Sequence, residues 1–587
     1  MSRVRRLAEE RRFATDDGCE LFYRYWPALT ERPAGAVVLF HRGHEHSGRM
    51  AHLVDELRLP DHAFFAWDAR GHGRSPGPRG FSPSLGRSVR DVDAFVAHIG
   101  AVHGINSRDI AVVAQSVGAV LAATWVHDYA PQIRALVLAS PAFKVRLYVP
   151  FARPGLKLMR KLRGDFFVNS YVKPRLLTHD TDRIASYQAD PLITRPISAN
   201  ILLALYDAAD RVVADAAAIT VPTQLLISGN DWVVHKRPQH IFFDRLGSAD
   251  KEKHVLDGFF HDTLGEKDRS IAIERARGFI LRQFANPVEQ PSLLDADQQG
   301  FTKRETDRLA RPLPRWSPAG QYWSATRLGL RLAGRLSEGI ALGRRTGFDS
   351  GSTLDYVYRN RPQGATALGR LIDRSYLNSA GWRGIRQRKR DVEALLHKAM
   401  TLLRDAGSPV RLMDIAAGHG RYVLDALQEM ETLPQTVLLR DYSAINVEAG
   451  TKLIADRGLS EIARFEEGDA FDAKDLAAVD PAPTLAVVSG LYELYPDNDR
   501  VRLSLQGLSE AVPEGGYLIY TNQPWHPQLA FIARALTSHR DGKPWVMRRR
   551  TQAEMDQLVA QAGFRKVDQR IDEDGIFTVS LAVRQNG

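Results

Sequence analysis

The sequence predicts an α/β chain of two separate sheets, each with helices on its faces, joined by a basic helical stretch. Three observations predict it. The 587 residues exceed what a single core of about 250–300 residues accommodates. Short apolar runs alternate with helical patterns in two sets, one toward each end of the chain. The positive charge lies between them: residues 301–400 hold 20 Lys and Arg against 8 Asp and Glu, which accounts for the whole formal net charge of +10 and leaves each flank near neutral.

The first set places strands at 36–41, 63–67, 109–115, 134–140, 223–228 and 253–257. Each is an apolar run bounded by turn residues, the form of a parallel strand buried on both faces. The gap between the fourth and fifth is too long for a plain crossover and is rich in Pro and Arg, so a helical cap is expected over about 145–215. Asn286-Pro287 and Gln290-Pro291 interrupt the pattern, and the first domain is set at 1–287. The second set, at 411–415, 436–441, 483–489, 517–522 and two runs near the C-terminus, gives a domain at 405–587. Residues 288–404 are left as a basic linker and helical region.

A composition of 44% hydrophobic and 25% charged residues excludes disordered and collagen-like classes. The single cysteine, Cys19, cannot form an internal disulfide, and Met1-Ser2-Arg3-Val4-Arg5-Arg6 leads into charge where a secretory signal needs an apolar run. No apolar stretch approaches the ~18 residues of a spanning helix. A cytoplasmic protein is expected, with room for peripheral contact at the inner face of the membrane.

Ala114-Gln115-Ser116-Val117-Gly118 ends a predicted strand and opens a helical run. A tight strand-to-helix turn there would expose Ser116 and admit only small residues two places to either side. A serine hydroxyl needs an imidazole to take its proton and a carboxylate to orient that imidazole. Asp231 and His261 each lie just past a predicted strand, and the three follow in the order Ser, Asp, His. The backbone N–H groups of Val117 and of Gly43, in the loop after the first strand, are expected to form the oxyanion hole. His44, His46 and His72 read as loop-packing residues, and no ligand spacing joins them to Cys or carboxylates, so no metal is expected.

Together with Asp68-Ala69-Arg70-Gly71-His72-Gly73-Arg74-Ser75, the loop His41 to Arg49 and the serine turn resemble monoacylglycerol lipases and lysophospholipases, the serine aminopeptidase-like α/β-hydrolases, over roughly residues 10 to 285. The resemblance implies an α/β-hydrolase fold with a mobile cap and cleavage of single-chain acyl glycerols or lysophospholipids. Arg42 stands where that family usually has Gly. It would either obstruct the oxyanion hole or bind a substrate phosphate or carboxylate.

In the second set, Leu412-Met413-Asp414-Ile415-Ala416-Ala417-Gly418-His419-Gly420-Arg421 reads as strand, Gly-rich turn and helix start. Asp441 ends the next strand, and Asp469 lies further along in Glu467-Gly468-Asp469-Ala470-Phe471. In a doubly wound sheet these three carboxylates converge on one crevice. A dinucleotide fingerprint would need a third glycine that is missing here. The set resembles class I S-adenosylmethionine methyltransferases, whose sheet is Rossmann-like, over about residues 405 to 587. The resemblance implies that the turn with Ala416, Gly418 and Gly420 cradles the methionine part, Asp441 the ribose hydroxyls and Asp469 the adenine amine, with Asp414 also among the cofactor-binding residues. Tyr492, Glu493 and His526 stand as acceptor-side candidates. The whole chain resembles a bacterial fusion of these two modules.

Between the modules, Arg327, Arg331 and Arg335 recur every four residues within 322–345, with Leu328, Leu332 and Leu336 beside them. One continuous helix would present a strip able to lie on anionic lipid, although four glycines weaken that helix and favour a solvated face. The run Arg386-Gln387-Arg388-Lys389-Arg390 could meet RNA phosphate but lacks aromatics for base stacking, which ranks nucleic acid below lipid. The leading expectation is a bifunctional enzyme of lipid metabolism, a serine ester hydrolase on a small or single-chain lipid substrate fused to an S-adenosylmethionine-dependent methyltransferase. The rival expectations are a membrane- or RNA-docking regulatory protein whose Arg42 closes the oxyanion hole, and an RNA methyltransferase with an accessory domain.

Overall fold

The six apolar runs of the first half form adjoining strands of an eight-stranded sheet. The computed structural model describes residues 6–146, 151–169, 172–540 and 542–585; the charged start at 1–5, and 147–150 and 170–171 of the expected cap, lie outside the described residues. The chain divides into two units, Met1–Pro291 and Ser292–Gly587, so the predicted break after residue 287 falls at Pro291.

In the first unit the strands are β1 (Glu9–Ala14), β2 (Glu20–Trp26), β3 (Gly35–Phe40), β4 (His62–Trp67), β5 (Ile110–Gln115), β6 (Ala135–Ala139), β7 (Phe167–Asn169), β8 (Pro196–Ser198), β9 (Thr223–Ser228) and β10 (Lys251–Leu256). The main sheet runs β1-β2-β4-β3-β5-β6-β9-β10. Strands β3 to β6 and β9 bury every side chain, as a parallel sheet covered on both faces requires. The hairpin β1–β2, antiparallel on the edge of β4, was not expected. Its first strand begins Glu-Glu-Arg-Arg and buries only Phe13, so it offers no apolar run. Helix α1 (Val117–Tyr129) starts directly after β5. The cap contains α2 (Ala152–Arg163), α3 (Thr181–Ala189) and the antiparallel pair β7–β8.

The second unit holds β11 (Arg411–Asp414), β12 (Thr436–Asp441), β13 (Ala463–Glu467), β14 (Leu485–Val488), β15 (Tyr517–Asn522), β16 (Phe564–Ile571) and β17 (Thr578–Arg584). Their order is β13-β12-β11-β14-β15-β17-β16, with the last two antiparallel. The first five are parallel and the order reverses at β11, which opens a crevice at the strand ends on either side of it.

The stretch 288–404 is not a linker. Its helices α4 (Pro318–Ala333), α5 (Glu338–Thr346), α6 (Gly351–Arg359) and α7 (Ala380–Asp405) belong to the second unit. Ile340, Phe348, Val357, Trp382 and Ile385 pack with Ile532, Trp545, Met547 and Phe577 in one apolar cluster, and Val392 to Leu403 of α7 join the core under the sheet. Most of the arginines of these helices are exposed or partly exposed, Arg388 being buried, so a core-forming region reads as a charged connector. The single helix expected over 322–345 is broken after Ala333. Ser337 caps α5 through Ile340 N–H at 3.2 Å and donates its own hydroxyl to Asp373 at 2.5 Å, which leaves Arg335 and Leu336 in the turn. Arg327 donates to the Arg534 carbonyl at 2.9 Å, while Leu328 and Leu332 stay exposed.

Candidate active sites

At the end of β5 the backbone turns sharply into α1, and Ser116 adopts φ 56°, ψ −115°, a left-sided conformation that tight packing must impose. A Cβ on Gly118 would stand 2.4 Å from the His41 carbonyl oxygen, which explains the need for a residue without a side chain there. The turn aims Ser116 Oγ at His261 Nε2, 2.7 Å away, and His261 Nδ1 lies 2.8 Å from Asp231 Oδ2. All three residues are buried. The other Asp231 oxygen accepts the N–H groups of Val233 and Val234 at 2.7 and 2.9 Å, which fixes the carboxylate in the turn after β9. Burial opposes its charge, yet His261 and these two N–H groups outweigh that and hold its carboxyl below the ordinary range. A hydroxyl, an imidazole and an anchored carboxylate in line can pass a proton away from Ser116.

Gly43 meets the turn: a Cβ at residue 43 would stand 2.9 Å from Val117 Cγ2, so the two predicted oxyanion donors belong to abutting segments. Arg42 follows neither expectation made for it. Its guanidinium is buried and turned to Glu45, with Nη2–Oε1 at 2.6 Å and Nε–Oε2 at 3.0 Å, and lies 3.4 Å from Asp262. A charge so enclosed is held by its partners and does not reach out for a substrate anion. Asp262 also binds Arg183 of α3 at 2.5 Å and Gln115 Nε2 at 3.1 Å, so the residues beside His261 and Ser116 share one polar cluster with the cap. The loop histidines serve structure: His46 Nε2 pairs with Asp190 at 2.9 Å, His72 Nδ1 with the Arg70 carbonyl at 3.0 Å, and His44 Nδ1 approaches Thr194 at 3.5 Å. Asp68 binds the N–H groups of Ser47 and Arg74 at 2.6 and 2.7 Å, bracing two loops.

In the second unit the turn after β11 and the ends of β12 and β13 border a cleft of about 710 Å³ lined by Ala416, Gly418, Asp441 and Asp469 among others. This volume lies within the ~300–1,000 Å³ range of small-molecule sites. Gly418 and Gly420 have φ of 57° and 69°, and a Cβ on Gly420 would strike Leu439 at 2.4 Å. Asp441 accepts Gly418 N–H at 2.9 Å, and Ser443 N–H and Asn446 Nδ2 at 3.0 Å each. Asp469 is exposed at the rim and accepts Phe471 N–H at 2.9 Å. Asp414 is fully buried behind the turn and is not part of the cleft lining; it accepts a long 3.4 Å bond from Ala416 N–H and faces the Tyr422 hydroxyl, which favours its charged form. Burial raises its carboxyl to about 7. A glycine turn and an oriented acidic strand end on the cleft lining fit a ligand that carries a sugar diol.

Sequence reasoning missed one wall of this cleft. Asp349, Ser350, Gly351 and Asp355 line it from the stretch taken as a linker, and Asp355 accepts from Arg421 at the start of the helix after the turn. It also missed that Arg388 is buried and bound to Glu493 at 2.8 Å, and that Lys389 lies 3.0 Å from Asp425, so the 386–390 run does not present a continuous basic surface. Matched charges such as Arg42 with Glu45, three places apart, were the signal available for the first site. Among the described residues no helix is long and apolar enough to cross a membrane, and no cluster of three His, Cys, Asp or Glu side chains is arranged for a metal.

Residues 276–584 match the model of a family described as a putative methyltransferase, and residues 31–268 match that of serine aminopeptidase, S33. The Escherichia coli (strain K12) protein YnbC is 58% identical over 585 residues, covering 99% of both chains. A monoacylglycerol lipase of Mycolicibacterium smegmatis is 27% identical over 279 residues, 46% of this chain and 96% of the lipase. The crystal structure of Paleococcus ferrophilus monoacylglycerol lipase aligns over 45% of this chain and 99% of its own at 23% identity, with a TM-score of 0.41.

Proposed function

The chain belongs to the putative methyltransferase family that its residues 276–584 match and carries an α/β-hydrolase unit ahead of them in sequence; from that premise we propose that it is a bifunctional enzyme, a serine ester hydrolase of single-chain lipids coupled to an S-adenosylmethionine-dependent methyltransferase. The observation that carries the hydrolase reading is the unbroken line from Ser116 Oγ through His261 to Asp231. Ser116 attacks the ester carbonyl while His261 Nε2 takes its proton, and Asp231 keeps the other ring nitrogen protonated. Negative charge on the carbonyl oxygen is met by the N–H groups of Val117 and Gly43. His261 then returns the proton to the departing alcohol, and water releases the acyl group by the same steps in reverse.

Lipid substrates are supported by the cap. Phe151, Leu158 and Leu162 are 84%, 59% and 75% exposed and fall on one face at and just before α2, beside Lys157, Arg160, Lys161 and Arg163. Such a basic amphipathic surface suits the interface of an anionic membrane, where each cation contributes about 1 kcal/mol.

In the second unit the 415–420 turn, with Asp414 behind it, would hold the amino-acid end of S-adenosylmethionine, Asp441 its ribose hydroxyls and Asp469 its adenine amine. Bound there, the cofactor supplies an electrophilic methyl group. The chain's own residues orient it: Asn446 and the Ser443 N–H keep the Asp441 carboxylate turned toward the glycine bend.

Incubating the purified protein with a lipid extract, a fluorophosphonate probe and methyl-labelled cofactor tests both halves. Probe labelling at Ser116 and transfer of label to an extractable compound are expected; a protein that neither reacts with the probe nor binds the cofactor would not be this enzyme.

A further inference from the structure

Beside the cofactor cleft lies a second cavity of about 370 Å³, and the two share Asp349, Leu354, Gly490 and Leu494 as common lining. Its walls are aromatic and aliphatic: Phe348, Tyr376, Trp382, Phe531, Trp545 and Phe577. A compact, largely apolar molecule fits such walls. The polar groups on the lining are few. Arg388 and Glu493 neutralise one another at 2.8 Å, and Asp349 is engaged by the Ser538 hydroxyl and His539 N–H at 2.6 Å each.

Five buried polar atoms of the lining have no hydrogen-bond partner: Tyr376 Oη, Arg388 Nε, Glu493 Oε2, Gln523 Nε2 and Trp545 Nε1. Glu493 Oε2 is a buried acceptor without a partner, and Gln523 Nε2 is a buried donor without one. His526 Nδ1 accepts Gln528 N–H at 3.0 Å, so the ring proton belongs on Nε2 and makes that atom a donor. Burial keeps this imidazole neutral, its pKa lowered to about 4. Gly381 leaves the donor uncovered, because even a Cβ at 381 would come within 3.1 Å of Nε2. A carboxylate ligand would satisfy the donors but face Glu493 with like charge. An ammonium would satisfy Glu493 and leave both donors unmet. A hydroxyl donates once and accepts twice, so it can meet Glu493 Oε2 together with Gln523 Nε2 and His526 Nε2 without bringing a charge into the cavity.

We propose that this cavity is the methyl-acceptor pocket and that the acceptor is a hydroxyl group on a compact apolar molecule, an alcohol or a phenol. The inference rests on the methyltransferase reading above. The acceptor oxygen forms a bond to the methyl carbon as the carbon–sulfur bond of the sulfonium breaks, the sulfur leaves as a neutral thioether, and the hydroxyl proton passes to Glu493 Oε2. Gln523 Nε2 and His526 Nε2 donate to that oxygen.

Calorimetric titration of the full chain with 2-naphthol, 2-naphthoate and 2-naphthylmethylammonium, each with and without S-adenosylhomocysteine, tests this. The naphthol is expected to bind at least tenfold more tightly than either charged probe, Gln523→Leu to weaken it about tenfold, and Ile532→Trp, which fills the cavity, to abolish it. Affinity for S-adenosylhomocysteine measured on the same variants is expected to stay within twofold, which also reports that they fold. Equal or tighter binding of a charged probe, or binding of none of the three, overturns the acceptor class, and naphthol affinity unchanged by Ile532→Trp in a folded variant overturns the pocket. Loss of S-adenosylhomocysteine binding in the unaltered protein would instead strike the cofactor reading, whatever the naphthol does.

Discussion

Arg183 of the cap helix donates a 2.5 Å hydrogen bond to Asp262, the residue next to His261. The carboxylate is buried, and the neighbouring Arg183 and Arg42 outweigh that burial and hold its carboxyl far below the usual range. Removing one partner leaves a buried charge less compensated. Arg183→Ala is therefore expected to destabilise the hydrolase unit by roughly 2–3 kcal/mol and to speed limited proteolysis within the cap. Cofactor affinity of the second unit, read in parallel, should not change.

Ser116→Ala and Asp231→Asn separate nucleophile from orientation. The first should abolish hydrolysis of short acyl esters and fluorophosphonate labelling while leaving S-adenosylmethionine binding intact. The second leaves the hydroxyl in place but permits the wrong imidazole tautomer, for a fall in kcat of about 10³–10⁴-fold. Full activity in Ser116→Ala would reject the assignment.

Asp441 touches three donors of its own unit, so its removal loosens the turn as well as the diol contact. Asp441→Ala is expected to weaken S-adenosylmethionine about 10- to 100-fold, a loss of some 1.4–2.8 kcal/mol. Equilibrium dialysis with labelled cofactor checks it, with ester hydrolysis as the unaffected control.

Asp414 sets a pH dependence. Its carboxyl is raised to about 7 by burial, against 3.8 as the ordinary value. Below the ordinary value both folded and unfolded chains hold the proton. As pH rises toward 7 the unfolded chain releases it first, so stability is progressively lost, by up to about 4 kcal/mol, and the loss is complete above the folded value. Melting curves from pH 5 to 8 should show Asp414→Asn losing less stability than the unaltered chain. A parallel decline in both would remove Asp414 as the cause.

The exposed face at α2 gives the membrane prediction. Leu158→Glu with Leu162→Glu should reduce co-sedimentation with vesicles of anionic phospholipid severalfold, with hydrolysis of a water-soluble ester retained. Identical sedimentation of the variant and the parent would remove this surface from the mechanism.

The relay Ser116, Asp231 and His261 was legible because each residue sits at a strand tip, where a local motif and chain order suffice to place it. The meeting of Gly418 and Asp441 on one cleft was legible for the same reason, whereas Asp414 lies buried behind the turn and off the cleft lining. The fate of Arg42 was not, because Asp262 lies far along the chain and only folding brings the two to 3.4 Å. The role of 288–404 was hidden by its charge: apolar positions such as Ile340, Phe348 and Trp382 are spaced among arginines, and their partners Trp545 and Phe577 come from the far end of the sequence. The edge strand β1 was missed because it pairs through its backbone and needs no apolar run to do so.

The recruitment of those helices dictates where the polypeptide can be cut. A fragment beginning at residue 405 would keep every strand of the second sheet yet bare the surfaces that Trp382, Ile385 and Val392 cover, and would be prone to clump. Severing near Pro291 instead leaves each half with its own complete interior, so two polypeptides expressed separately from that seam should each purify as soluble material.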